Sequence, residues 1–322
     1  MSARDEDERG SEDTDAELNA GTVAESHAET VTAPALWGST RAYKLVRIGL
    51  GLLLAFGLGI MLYPMAQRLE FAYKSVMVAD EYQRYVESAP EEVLEHEWMM
   101  AQEYNRARAY NLAHDVNVIA DPFRGDAQTA SENAEYWSLV NPLGNGLMGY
   151  LDIPKIGERL NVYHGTEDEA LLRGLGHIQG TSLPVGGDGT HCVLSGHRGL
   201  AGAKILTDLD QVEVGDVMLV HVLNHHLAYE VERILVVLPD EISAIDIVEG
   251  QDLLTLITCT PYAVNTHRLL VTGHRVPYVE EPMPMVDLYS WLTPMRIALI
   301  VAAVVVVSAI VVWRRRRSRR AQ

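Results

Sequence analysis

One cysteine and one arginine stand close together in the stretch "TLITCTPYAVNTHRLLVTGHR" and frame its chemistry. Cys259 ends the apolar run "LLTLITC", and Arg268 opens the run "HRLLVTG". Between them lies the loop "PYAVNT", with Cys259 two residues before Pro261 and Arg268 two residues after Thr266. If the two runs are antiparallel neighbours, symmetry about the loop brings Cys259 and Arg268 opposite each other. A nearby positive charge favours the thiolate, the reactive form of cysteine. An arginine stays charged at any working pH and holds a developing oxyanion in its fork of donors.

Such a nucleophile needs a group to carry the leaving-group proton, and histidine titrates in the right range. Of twelve histidines, His197 in "CVLSGHRGL" is the best candidate, because it closes a strand and precedes a glycine. His164, His177, His191 and His267 remain weaker alternatives, since spacing alone does not choose among them. The second cysteine, Cys192, has the opposite parity to His197 in the same strand and reads as structural. The two thiols suffice for one bridge, which would remove Cys259 as a nucleophile, but not for a four-cysteine zinc site. His225 and His226 read as a hairpin turn, so no metal and no cofactor is expected.

The elements that must position these residues are short strands. From Met148 onward, "MGYLDIPKIG", "LNVYHG", "GTHCVLSGHRG", "GDVMLVHVLN", "HLAYEVERILVVL", "DLLTLITCTP" and "HRLLVTGHRV" all fit strands. Seven or eight strands with few helices point to a β-barrel or a sandwich. Upstream, residues 66–115 read as two helices meeting at Pro90, and residues 116–147 as a long loop.

Two apolar spans frame this region, residues 48–65 and 297–313, each about long enough to cross a bilayer. Arg41, Lys44 and Arg47 precede the first, and six arginines between Arg314 and Arg320 follow the second. The positive flanks place both termini in the cytoplasm and the central region outside. The arginine run also suits contact with anionic membrane lipids. The division expected is an acidic disordered tail (1–40), a transmembrane helix (45–65), a helical segment (66–115) and a loop (116–147). A β-domain (148–278), a linker (279–294), a second transmembrane helix (295–313) and a basic tail (314–322) follow. A hydrophobic content of 48% supports a sizeable core, while a formal net charge of -18 argues against nucleic acid as partner.

Taken together, "GTHCVLSGHRGL", "TLITCTPYAVNTHRLLVTGHR" and "IPKIGERLNVYHGT" resemble the sortases, and "GHIQGTSLPVGG" with the two spans resembles the pilin-polymerising class C. The resemblance covers roughly residues 66–315. It implies a mostly-β fold, the sortase eight-stranded barrel, with N-terminal helices and two flanking transmembrane helices. It implies a cysteine transpeptidase that cuts an LPxTG-like sorting signal between Thr and Gly through a thioacyl-enzyme. Cys259 would be the nucleophile, His197 the general acid and base, and Arg268 the oxyanion and substrate stabiliser. The acceptor would be a lysine amine of a pilin subunit; the alternative is a housekeeping enzyme that uses cell-wall peptide. Class C members carry a lid with an Asp-Pro-aromatic motif, which Asp121, Pro122 and Phe123 match. Asp121 would reach Arg268, and Phe123 would cover Cys259. Two other classes compete. One is a papain-like protease using Cys259, a histidine and Asn265, although such enzymes place the cysteine on an early helix. The other is a membrane-anchored β-domain without catalysis.

Overall fold

The computed structural model describes residues 40–112, 123, 133–200, 202–239, 241, 245–280 and 310. The chain divides into two units, residues 1–57 and 58–322. The described part of the first is helical and exposes Leu50, Leu52, Leu53 and Phe56.

Helix α1, Thr40–Ser88, is a single element with Pro64 inside it. Within it, residues 47–88 are long and apolar enough to cross a membrane, with a best-window mean hydropathy of 2.0 and none of that window buried. The second apolar span, the linker before it, and both tails lie outside the described residues. Ala89 precedes a proline and so leaves the helical region, which ends α1. Helix α2, Glu91–Leu112, starts on the carbonyl of Pro90, with Glu91 and Glu92 favourably placed at its positive end. The expected break at Pro90 is therefore present. The lower part of α1 is tied to the barrel: the Tyr82 hydroxyl donates to the Met148 carbonyl (2.9 Å) and accepts from the Leu223 amide (2.7 Å).

Eight strands follow: β1 Leu147–Ile153, β2 Glu158–His164, β3 Leu175–His177, β4 Thr190–Ser195, β5 Val217–Val222, β6 His225–Val237, β7 Asp252–Thr260 and β8 His267–Val276. They close a barrel in the order β1-β2-β3-β4-β7-β8-β6-β5. The expected eight-stranded barrel is thus the fold, and the sandwich is not. A short helix, α3 Ala134–Ser138, precedes β1 within the stretch expected to be a loop, and α4 Asp168–Arg173 lies between β2 and β3. The "LNHHL" segment makes the β5–β6 hairpin, with Val222 opposite His225.

Strand β7 is central. It runs parallel to β4 and antiparallel to β8. Residues 253–259 are all buried, so both faces of the strand are covered, which explains an apolar run without alternation. Successive side chains still point to opposite faces. Cys192 and Leu194 of β4, Leu254 and Leu256 of β7, and Leu269 and Val271 of β8 belong to the large core. Val193, Ile257 and Leu270 belong to a separate cluster with Ile178 and Ile245, against which Phe123 packs.

Candidate active site

The three strands β4, β7 and β8 bring the expected site residues to one end and one face. Cys259 and Arg268 are direct cross-strand partners. The symmetry of the loop therefore holds in the structure. On the other side of β7, Ser195 pairs with Ile257, and the Gly196 amide adds a bond to the Ile257 carbonyl (3.1 Å). The Thr258 hydroxyl donates to the Gly196 carbonyl (2.7 Å). Cys259, two residues past Ile257, is on the face that carries Ile257, and His197 stands two residues past Ser195, beyond the end of β4.

Cys259 and Arg268 are each 8% exposed, and His197 is half-buried. Partial burial lowers the His197 pKa, because the imidazolium loses water, and the charge of Asp168 on α4 works in the opposite direction. The ring is therefore held toward its neutral, proton-accepting form. The Arg268 Nη1 donates to the carbonyls of Asn265 (3.3 Å) and His267 (3.1 Å). This seats the guanidinium against its own turn, with donors that could meet a substrate oxygen.

Phe123 joins the group. Its ring centroid lies 5.8 Å from that of His197, and the Arg268 guanidinium carbon sits 5.0 Å from it. Asp121 and Pro122, the other residues of the expected lid, lie outside the described residues. Neither Cys192 nor Cys259 is in a disulfide. Cys192 is on the core face, as its parity implies, and burial pushes its thiol well above the usual range.

The alternative histidines are occupied elsewhere. The His164 ring faces the carbonyls of Gly146 (3.1 Å) and Leu139 (2.8 Å). His177 is wholly buried between the Tyr136 hydroxyl (2.8 Å) and the Ser182 carbonyl (2.8 Å), and burial depresses its pKa to about 3. His191 meets the Asp246 carbonyl (2.9 Å) and the Thr255 hydroxyl (2.7 Å). His267 pairs with Thr260, one residue out of step with Arg268, and so points to the other face. Asn265 lies in the β7–β8 turn with φ 59°, and its contact to the site is through its backbone carbonyl.

Sequence reasoning missed three contributors. Arg198 follows His197, and its side chain is only 7% exposed. Its Nε donates to the Thr207 carbonyl (3.1 Å), its Nη1 to the Thr260 hydroxyl (3.0 Å), and its Nη2 meets the Asp210 carboxylate (2.6 Å). Asp168 is the second and Thr260 the third. Gly199 is required where it stands: its φ is +82°, and an added Cβ would lie 2.9 Å from the Tyr262 ring. The adjacency of "HR" and "CT" was the available signal for the clamp, but the partners are some 60 residues apart.

The Sortase domain family matches residues 151–276. Sortase C of Streptococcus pneumoniae is 37% identical, covering 64% of this chain and 100% of that one with a TM-score of 0.56. Sortase C1 of Streptococcus agalactiae is 41% identical, covering 63% and 100% with a TM-score of 0.56. Sortase C-1 of Actinomyces oris is 42% identical, covering 58% and 99% with a TM-score of 0.54. A curated relative, Sortase D of Bacillus subtilis (strain 168), is 26% identical over 152 residues, which is 46% of this chain and 74% of the relative. With its barrel, its strand-end cysteine and these relatives, the chain belongs to the sortase family, among the class C sortases.

Proposed function

We propose that the protein is a membrane-anchored cysteine transpeptidase that cuts an LPxTG-like sorting signal at the Thr–Gly bond and joins the threonine to a pilin lysine. The observation that carries this is Cys259 paired with Arg268 across β7 and β8, with Phe123 against both Arg268 and His197 just past the end of β4. His197 takes the Cys259 proton, and the thiolate attacks the threonine carbonyl. Arg268 steadies the oxyanion of the tetrahedral intermediate. The intermediate collapses as His197 returns its proton to the leaving glycine amine, leaving a thioacyl-enzyme. A neutral lysine amine then attacks, gives up a proton to His197, and releases Cys259 with an isopeptide bond made.

Pilin assembly is preferred to anchoring on cell-wall peptide for two reasons. The class C relatives match over nearly their whole length at higher identity than Sortase D. The S. pneumoniae relative is described with pilin substrate specificity. Phe123, lying beside His197 and over Arg268, supports a lid of Asp121, Pro122 and Phe123 that covers the site and excludes water until substrate enters. The apolar part of α1, with the second span, would anchor the chain with both termini inside and the barrel outside.

The test incubates the full-length protein in detergent with an LPxTG peptide and a lysine-bearing peptide. The expected product is an isopeptide-linked pair, formed faster by Phe123→Ala and not at all by Cys259→Ala. Hydrolysis alone, or transfer only to a cell-wall peptide amine, would overturn the pilin assignment.

A further inference from the structure

We propose that Arg198 is a positioning residue that sets the spacing between the His197 imidazole and the Cys259 thiol, acting through the hydroxyl of Thr260. The proposal rests on the roles given above to His197 and Cys259.

The β4–β7 ladder runs up to Ser195 and Ile257, and Gly196 adds two bonds, its amide to the Ile257 carbonyl and its carbonyl from the Thr258 hydroxyl. His197 lies two residues past Ser195, beyond the end of β4, and Cys259 two residues past Ile257, at the end of β7. The next tie along is the 3.0 Å bond from Arg198 to Thr260, one residue past each reacting side chain. It closes the frame that the ladder leaves open. The other two donors anchor the guanidinium from behind, on the Thr207 carbonyl and the Asp210 carboxylate in the segment after β4. Asp210 compensates the charge of a guanidinium that is almost fully buried.

Only a planar fork meets three acceptors in this arrangement, so lysine is not equivalent. A displacement of about 1 Å between reacting groups costs on the order of 100-fold in rate. A tie that limits such displacement acts on the chemical step rather than on peptide binding.

Thr260 separates this role from mere folding support. Thr260→Val removes one hydroxyl and leaves the Asp210 and Thr207 bonds in place. Thr260→Ser keeps the hydroxyl. The experiment measures release of the glycine-side fragment from an LPxTG peptide by the full-length protein carrying Phe123→Ala, together with the pH midpoint of Cys259 alkylation by iodoacetamide. Thr260→Val is expected to lower kcat about tenfold with KM within about twofold, as does Arg198→Lys, and Thr260→Ser to restore the rate. The alkylation midpoint moves in Thr260→Val, because the distance from the thiol to the His197 ring that takes its proton changes. Wild-type kcat and an unmoved midpoint in Thr260→Val, with Cys259→Ala and His197→Ala inactive, would overturn the positioning role alone. Activity in Cys259→Ala would overturn the proposed function and this inference with it. Should Arg198→Lys fail to fold, the Thr260 pair decides.

Discussion

The two cysteines, both buried, stand on opposite faces of the same three strands, and the charged groups around them differ. Cys192 is near the start of β4, inside the large core, where burial and then the charge of Asp252 push its pKa well up. Cys259 is at the far end of β7, on the other face and opposite Arg268. The same contrast separates His177, wholly buried and depressed to about 3, from His197, half-buried with Asp168 acting on it. One barrel wall thus packs an apolar cluster on each face and carries Cys259 and Arg268 at the end of one of them. What decides is strand parity and distance along the strand, not residue type.

The contrast between the thiols is the easiest to break. Cys259→Ala is expected to abolish the thioacyl adduct, while Cys192→Ala keeps it and loses on the order of 1 kcal/mol of stability from a small core void. Intact mass and thermal unfolding check the two halves. Removing the oxyanion donor comes next: Arg268→Ala should lower kcat about 100- to 1000-fold. A fall in binding alone, with kcat kept, would assign Arg268 to peptide recognition instead.

The histidines differ in what acid does to them. The folded-state pKa of His177 lies below its unfolded value of 6.5, so the unfolded chain binds the extra proton between those limits. Its contribution to stability is complete above about pH 6.5 and is lost as pH falls toward 3, by up to about 1.4 kcal/mol per pH unit. A His177→Gln variant should flatten the fall of Tm with acid over that window. His197 gives the smallest effect and the one closest to the chemistry. Asp168 raises its pKa against the lowering by burial, so Asp168→Asn should move the histidine limb of the kcat/KM profile to lower pH. A shift to higher pH would contradict the electrostatic arrangement.

Much of the site was legible because its central pair is local. The loop between Cys259 and Arg268 is short, and antiparallel strands joined by a short loop leave few registers. The parity of Cys192 against His197 was readable for the same reason. His197 could be ranked above His164, His177 and His191 from its place at a strand end before a glycine, but spacing alone did not decide it. The decision depends on the parallel pairing of β4 with β7, which joins residues some 60 positions apart and leaves no local pattern. The Arg198 clamp was hidden likewise, since Thr260 and Asp210 meet it only once that pairing forms. Barrel and sandwich predict the same short strands, and only closure of β5 onto β1 separates them.

The most direct test of the account locates the acyl group. Full-length protein carrying Phe123→Ala is incubated with an LPxTG peptide, quenched in acid, digested, and mapped by tandem mass spectrometry. The account predicts a threonine-linked thioester on Cys259, with Cys192 unmodified. An adduct on Cys192, or peptide cleavage that persists in Cys259→Ala, would contradict it.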